Sequence, residues 1–194
     1  MKRTATAALA ALTIAACDNT ADNENDLEAM DTARIVETTP AGGQRATATL
    51  QDSTGTQVGT VTLTASADSG VAIAAQVRGV APGEHGIHVH MVGQCDPATG
   101  FESAGAHLNP TNMQHGLENP NGPHLGDMPN LTVANDSTGT VSFTNAQLRL
   151  GQGGNLLDAD GAAIVVHASA DDQRTDPSGN SGARVACGVV DPMR

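Results

Sequence analysis

From Arg45 onward the chain is a succession of short β-prone segments separated by turn-forming residues. The pattern predicts eight strands, at residues 46–50, 58–63, 70–77, 86–91, 131–134, 141–143, 162–167 and 184–190. Turn sequences such as Asp52-Ser53-Thr54-Gly55 and Asp136-Ser137-Thr138-Gly139 separate them. No long segment carries a convincing helical period, so apolar surface must be buried through sheets. We predict an all-β fold, an eight-stranded antiparallel Greek-key sandwich or flattened barrel.

Two long segments interrupt the strand pattern, residues 92–129 and 168–183. Long irregular loops in a compact domain are usually functional or disordered. These two segments contain histidines and aspartates, the side chains that bind metals and carry acid–base chemistry. We therefore interpret them as two functional loops.

The first 43 residues are expected to lie outside the folded domain, which we place at residues 44–194. Residues 1–16, positively charged at Lys2 and Arg3 and then small or apolar, have the pattern of a secretory signal peptide. The sequence Leu12-Thr13-Ile14-Ala15-Ala16-Cys17 resembles a bacterial lipobox, which makes Cys17 a lipidation site. An ordinary signal peptide with an incidental cysteine is the alternative. The acidic, polar residues after Cys17, up to residue 43, are expected to form a flexible tether.

These features predict an exported lipoprotein that is periplasmic and anchored to a membrane through Cys17. A formal net charge of −12 at pH 7 makes nucleic acid an unfavourable partner. Export also implies an oxidising compartment, in which a disulfide persists. Lipidation of Cys17 would leave Cys95 and Cys187 as a natural pair.

All seven histidines lie between positions 85 and 167. His88 and His90 are two residues apart on a predicted strand, so their side chains share one face and can reach one metal ion. A second group follows in the first long loop and consists of His107, His115, His124 and Asp127. Three nitrogens and a carboxylate oxygen complete the tetrahedral site that suits zinc. An imidazole-rich neighbouring site with an open position suits copper.

Six motifs follow one another in order along the chain. They are G-I-H-V-H at 86–90, S-A-G-A-H-L-N-P at 103–110, Q-H-G at 114–116, P-H-L-G-D at 123–127, V-V-H-A-S-A-D-D at 165–172 and G-N-S-G-A-R-V-A-C-G-V-V at 179–190. In order, spacing and ligand types, they resemble the bacterial copper–zinc superoxide dismutases over roughly residues 44–194.

The resemblance implies a role for each candidate site residue. The copper ligands would be His88, His90, His107 and His167, and the zinc ligands His107, His115, His124 and Asp127. His107 would then be shared as a bridging imidazolate, and Asp171 would connect His88 to His115. Arg184 would hold the substrate anion, and Cys95 and Cys187 would form the disulfide. His85 is expected to be structural.

The resemblance further implies an enzyme that dismutates superoxide anion to O2 and hydrogen peroxide through a Cu(II)/Cu(I) cycle, with His107 and Arg184 as catalytic residues. Its role would be antioxidant defence outside the cytoplasm. A periplasmic copper or zinc carrier is the alternative, although a carrier has no need for Arg184, Asp171 or a bridging histidine. A purely structural sandwich would scatter its histidines, which this chain does not do.

Two further expectations concern the substrate and the assembly. Arg174 is the only cation of the loop 168–183, against Asp171, Asp172 and Asp176, so we expect weak long-range steering of an anion. Phe101 and Phe143 are the only aromatic residues besides histidine, which leaves few anchors for a subunit interface. The oligomeric state is therefore open, with a homodimer as one outcome.

Overall fold

A computed structural model describes residues 43–66, 70–151 and 153–193. The expected signal peptide, Cys17 and nearly all of the expected tether lie outside these residues. The described part contains ten strands: β1 (Arg45–Asp52), β2 (Gln57–Ser66), β3 (Gly70–Arg78), β4 (Gly83–His85), β5 (Ile87–His90), β6 (Leu131–Val133), β7 (Thr138–Asn145), β8 (Ala163–His167), β9 (Arg184–Val189) and β10 (Asp191–Pro192). Two short 3-10 helices, Pro97–Thr99 and Glu102–Ala104, lie in the first long loop. A search of this part for a helix with the length and hydrophobicity of a membrane span finds none.

The strands form one antiparallel sheet in the order β4-β6-β7-β3-β2-β1-β9-β8-β5, and β10 pairs with β1. β4 and β5 stand at opposite ends of this order, yet only Gly86 separates them in sequence. The sheet therefore curls into a nearly closed barrel. β7 returns beside β3 after the chain has passed through β4, β5 and β6, which is a Greek-key connection. The predicted all-β fold class is confirmed.

The number of strands differs from the eight predicted. The predicted strand 86–91 is divided at Gly86, because β4 pairs with β6 whereas β5 pairs with β8. Gly86 has no room for a side chain at this change of partner, since a Cβ would lie 2.9 Å from Ser181 Cβ. β10 is a two-residue addition at the edge of β1. A third irregular stretch, between β7 and β8, buries Leu148, Leu150 and Leu156.

The core is made of Val, Leu, Ile and Ala with Met128, as the scarcity of aromatic residues predicts. β8 is buried on both faces, which explains its uninterrupted apolar sequence. Ile164 and Val166 face the barrel core. Ala163 and Val165 face a smaller cluster that contains Phe101 and Cys187. The loop after β5 is thus packed against the outside of the barrel.

The disulfide between Cys95 and Cys187 is confirmed and ties that loop to β9. Its two cysteines are 92 residues apart. For a loop of this length, loss of chain entropy in the unfolded state stabilises the fold by about 4 to 5 kcal/mol as an upper estimate. The same bond fixes the loop close to Arg184, which begins β9.

Candidate metal centre

Strand β5 presents two histidines to the outside of the barrel. Ile87 and Val89 point into the core, so the alternation of a strand directs His88 and His90 to the opposite face. All four residues are buried, because the long loops cover this face. His88 and His90 therefore lie between the barrel and its loops.

The first long loop runs back along β5 and places His107 beside His90. Val89 O accepts a hydrogen bond from Leu108 N at 2.8 Å, and Met91 N donates to Ala106 O at 3.0 Å. These bonds make His90 and His107 partners in an isolated antiparallel bridge. The backbone of β5 thus positions a ligand that lies outside the regular strands.

His167 reaches the same place from the end of β8. The register between β8 and β9 shifts after Val166, so His167 lies opposite Arg184 rather than Val185. His167 N also donates to Gly86 O at 2.8 Å, which fixes the strand end against the corner between β4 and β5. The shift of register therefore brings His167 and Arg184 to the same side of the sheet.

Four ring nitrogens meet under the loops without a hydrogen-bond partner among the described residues: His88 Nδ1, His90 Nε2, His107 Nε2 and His167 Nε2. The four residues can each offer one ligand atom, all within 4.8 Å of one another. A buried polar atom with no partner costs free energy, and an all-imidazole set suits copper. The residues present fit a copper ion.

A second group surrounds the carboxylate of Asp127. Asp127 Oδ1 lies 3.0 Å from His107 Nδ1, 3.0 Å from His115 Nδ1 and 3.4 Å from His124 Nδ1. The other oxygen, Oδ2, accepts hydrogen bonds from the backbone N–H of Gly116 at 2.8 Å and of His124 at 2.9 Å. Three imidazoles and one carboxylate, all buried, are a donor set that fits zinc.

His107 belongs to both groups through its two different nitrogens. Nδ1 faces Asp127, whereas Nε2 is the atom left without a partner on the side of His88, His90 and His167. The rings of His88 and His107 are close, with centroids 4.0 Å apart. One side chain therefore connects the two groups of candidate ligands.

Asp171 links the two groups from behind. Its Oδ2 lies 2.7 Å from His88 Nε2, and its Oδ1 lies 3.0 Å from His115 Nε2. These bonds occupy the ring nitrogens that are not directed at the candidate metal positions. Asp171 therefore holds the orientation of one histidine from each group.

The ionisation of the histidines follows from burial. Burial lowers the pKa of His88 to about 3, of His90 to about 2 and of His167 to about 4. Burial also disfavours protonation of His115, but its hydrogen bonds to Asp127 and Asp171 outweigh this and raise its pKa to about 9. His88, His90 and His167 are thus neutral at pH 7, whereas His115 holds a proton that a cation would replace.

The two buried carboxyl groups stay ionised for a related reason. Burial alone would raise the pKa of Asp127 and Asp171, but hydrogen bonds from histidine rings and backbone N–H groups outweigh it. Both pKa values lie well below their usual range. The second group therefore offers a negative charge to a cation over the whole physiological pH range.

Arg184 lies beside the first group with its guanidinium held by the first long loop. Nη1 donates to Phe101 O at 2.7 Å, and Nη2 donates to Gly105 O at 2.8 Å. Gly105 O also lies 2.9 Å from His90 Nδ1. The arginine and a candidate copper ligand therefore share one backbone acceptor, which fixes their relative position.

His85 is close to the site but is held by backbone groups on both sides. Its Nδ1 lies 2.8 Å from His167 O and its Nε2 lies 2.8 Å from Ala81 O. Neither nitrogen is free for a metal ion. The expected structural role of His85 agrees with this geometry.

Comparison with known proteins identifies the family. The model of the family described as copper/zinc superoxide dismutase (SODC) matches residues 57–190. A superoxide dismutase (Cu-Zn) of Caulobacter vibrioides is 44% identical over 149 residues, which are 75% of this chain and 84% of that protein. Superoxide dismutase (Cu-Zn) 2 of Aquifex aeolicus is 42% identical over 126 residues, 63% of this chain and 73% of that protein.

The chain belongs to the copper–zinc superoxide dismutase family. A crystal structure of a SOD-like protein from Bacillus subtilis has the same fold, with a TM-score of 0.69 at 41% identity over 74% of this chain and 96% of that one. This superoxide dismutase uses copper and zinc as cofactors, and both ligand groups of the described residues fit them. The predicted family, enzyme class and cofactors are confirmed.

Three residues that support the site, Asn130, Asp176 and Gly179, were not predicted to do so. Asn130 clamps the backbone of Asp171 by donating from Nδ2 to Asp171 O at 2.8 Å and accepting from Asp171 N at 2.9 Å. Asp176 Oδ1 accepts from His115 N at 2.7 Å. Gly179, at a φ of 62°, lies so close to Asp171 that a Cβ would overlap Oδ1. Of these three, only Gly179 lies in a quoted motif, and the contacts of the others are distant in sequence.

The metal-free superoxide dismutase should lose stability as the pH falls from about 6.5 to about 4. Unfolded histidines bind protons below about pH 6.5, whereas folded His167 does so only near pH 4 and His88 and His90 lower still. Each such histidine then lowers the unfolding free energy by about 1.4 kcal/mol per pH unit. The raised pKa of His115 stabilises the fold fully below pH 6.5 and so adds no slope there. Urea unfolding in chelator between pH 4.5 and 7.5 measures the slope.

The control for this measurement is His90→Gln. The variant removes one ring that titrates only after unfolding, so the slope between pH 6 and 5 should fall by about 1.4 kcal/mol per pH unit. Equal slopes for the two proteins would contradict the assignment of His90 as a buried neutral ring.

Asp171→Asn should weaken the binding of both metal ions by about 10- to 100-fold, the usual effect of losing a partner behind metal-bound histidines. The neutral amide cannot accept from both His88 and His115 as the carboxylate does. Competition with a calibrated chelator measures each affinity. Asp172→Asn is the matched control, because among the described residues the Asp172 side chain accepts hydrogen bonds from Arg174, Thr175 and Asn180 of its own loop and from no histidine. Equal losses in the two variants would contradict the role of Asp171.

Proposed function

We propose residue roles for the dismutation of superoxide by this enzyme. Copper is held by His88, His90, His107 and His167, and zinc by His107, His115, His124 and Asp127. The observation that carries the assignment is the position of His107, which offers Nδ1 to one group and Nε2 to the other. A histidine in this position can join two cations only by giving up its ring proton, which their charges favour.

The metals supply what side chains cannot: copper, when bound, accepts and returns one electron, while zinc is redox-silent. The chain supplies position and protons. Arg184 orients superoxide with a charge fixed by two backbone carbonyl groups. His107 exchanges a proton at Nε2 while Nδ1 stays beside Asp127. Two superoxide anions and two protons give one O2 and one hydrogen peroxide, so one proton from His107 and one from solvent complete the balance.

The periplasmic carrier considered as an alternative gains no support over catalysis. A carrier must release its metals. Here Asp171 and the bonds between β5 and the first long loop hold the ligands in one fixed arrangement. A carrier would also not need an arginine fixed beside the copper position.

We further propose that this enzyme acts outside the cytoplasm as a periplasmic lipoprotein anchored through Cys17, in antioxidant defence. The support lies in the sequence at 1–17 and in the disulfide, which persists in an oxidising compartment.

A homodimer stays a prediction. In the described part of the chain, Met91, Met113 and Met193 are the exposed large apolar side chains, and no aromatic side chain is among them.

The catalytic roles are tested by following superoxide decay optically with the copper- and zinc-loaded protein. We expect decay proportional to copper-loaded enzyme, reduced at least about tenfold by Arg184→Ala, because the variant removes the fixed positive charge. Arg184→Lys should retain part of the wild-type rate of superoxide decay, since the lysine keeps the positive charge but not the paired hydrogen bonds to Phe101 O and Gly105 O. Tight metal binding without accelerated decay would instead support the carrier.

The anchor is tested by fractionation of cells that carry Cys17→Ser. Without the thiol there is no lipid attachment, so the protein should leave the membrane fraction while export continues. Detergent-free extraction and immunoblotting measure the distribution. Retention of the variant in the membrane fraction would show that the anchor proposal is wrong.

A further inference from the structure

The guanidinium of Arg184 has a third neighbour besides its two backbone acceptors. Glu102 Oε2 lies 3.3 Å from Arg184 Nη2. The side chain of Glu102 is 73% exposed, whereas that of Arg184 is 14% exposed. A solvated carboxylate thus lies next to the charge that orients the substrate.

Glu102 adds charge at this position but is not needed to hold the arginine. Phe101 O and Gly105 O fix both terminal nitrogens of Arg184, and the disulfide and the backbone bonds to β5 fix the loop that carries them. An exposed ion pair contributes little to stability. The effect of Glu102 must therefore be sought in what Arg184 can bind.

Positive charge is scarce around the site. The described residues include five arginines, Arg45, Arg78, Arg149, Arg174 and Arg184, and no lysine. Arg174, the cation of the second long loop, is itself paired with Glu118, with Nη2 2.6 Å from Oε2. Arg174 in the second long loop and Arg184 at the start of β9 therefore each have a carboxylate partner, and neither offers an unopposed charge to an anion.

We propose that Glu102 competes with the substrate anion for Arg184 and so sets the anion affinity of the site. An anion that enters beside Arg184 gains the full charge of the guanidinium only when Glu102 turns toward solvent. Glu102 is a positioning residue that acts through Arg184. The inference rests on the proposed role of Arg184.

Azide is the probe, titrated into the copper- and zinc-loaded protein and followed by its absorption change. In Glu102→Gln the azide Kd should fall about 1.4- to fivefold at low ionic strength, the range expected for an exposed ion pair. The difference should disappear at about 1 M salt, where the screening length is about 3 Å. A role in folding alone would produce no such salt dependence. The rate constant for superoxide should rise by a similar factor.

The matched control is Glu118→Gln, which changes the net charge equally but frees Arg174 instead of Arg184. Its azide Kd should stay at the wild-type value. An unchanged or higher Kd in Glu102→Gln, or an equal fall in Glu118→Gln, would overturn the inference.

A double variant separates this inference from the proposed function. In an Arg184→Ala background, Glu102→Gln should no longer lower the azide Kd, because the two changes act on one pair. If Arg184→Ala alone leaves the azide Kd unchanged, the proposed role of Arg184 fails. If Arg184→Ala weakens azide binding but Glu102→Gln has no effect, only the role of Glu102 fails.

Discussion

Each buried imidazole has two ring nitrogens, and both need a partner. The arrangement of the metal centre depends on this requirement. The protein supplies one partner for His88, His90 and His167: the carboxylate of Asp171, Gly105 O and Gly182 O. The second nitrogen of each ring is left facing the others. A cation can bind these second nitrogens, which have no partner among the described residues. The protein group bound to the first nitrogen of each ring determines which nitrogen faces the cation.

The loops are irregular because their backbone is used to position side chains rather than to extend the sheet. Residues 104–108 run beside β5 with strand-like bonds, and Asn130 holds the backbone of Asp171 as a neighbouring strand would. The disulfide and the small cluster around Phe101 replace the packing that a second sheet layer would give. These contacts fix the backbone of the loops, so that ligands on a loop are held in position as they would be on a strand.

The fold class could be predicted from the sequence because it depends on local periodicity, and residue chemistry singled out the pair of His88 and His90 and the group around Asp127. The inclusion of His167 and the sharing of His107 came from the family resemblance. The alternation that sends His88 and His90 to one face follows from strand geometry alone. The division at Gly86 could not be predicted, because it depends on the strands with which β4 and β5 pair, β6 and β8, which are distant in sequence. Asn130 was missed for the same reason, since its partner lies 41 residues away. The supporting contacts are properties of the tertiary structure, and no local pattern encodes them.

The charge of the chain and the charge of its substrate have the same sign, and the structure reconciles them locally. Asp127, a candidate ligand, and Asp171, which contacts two candidate ligands, are both buried, and there their negative charge favours cations. Arg184 is held beside the candidate copper ligands by two neutral carbonyl groups, and its carboxylate partner, Glu102, is exposed to solvent. A chain with a net charge of −12 can therefore bind an anion, because the field at short range depends on a few fixed groups and the remaining charge is screened over about 10 Å.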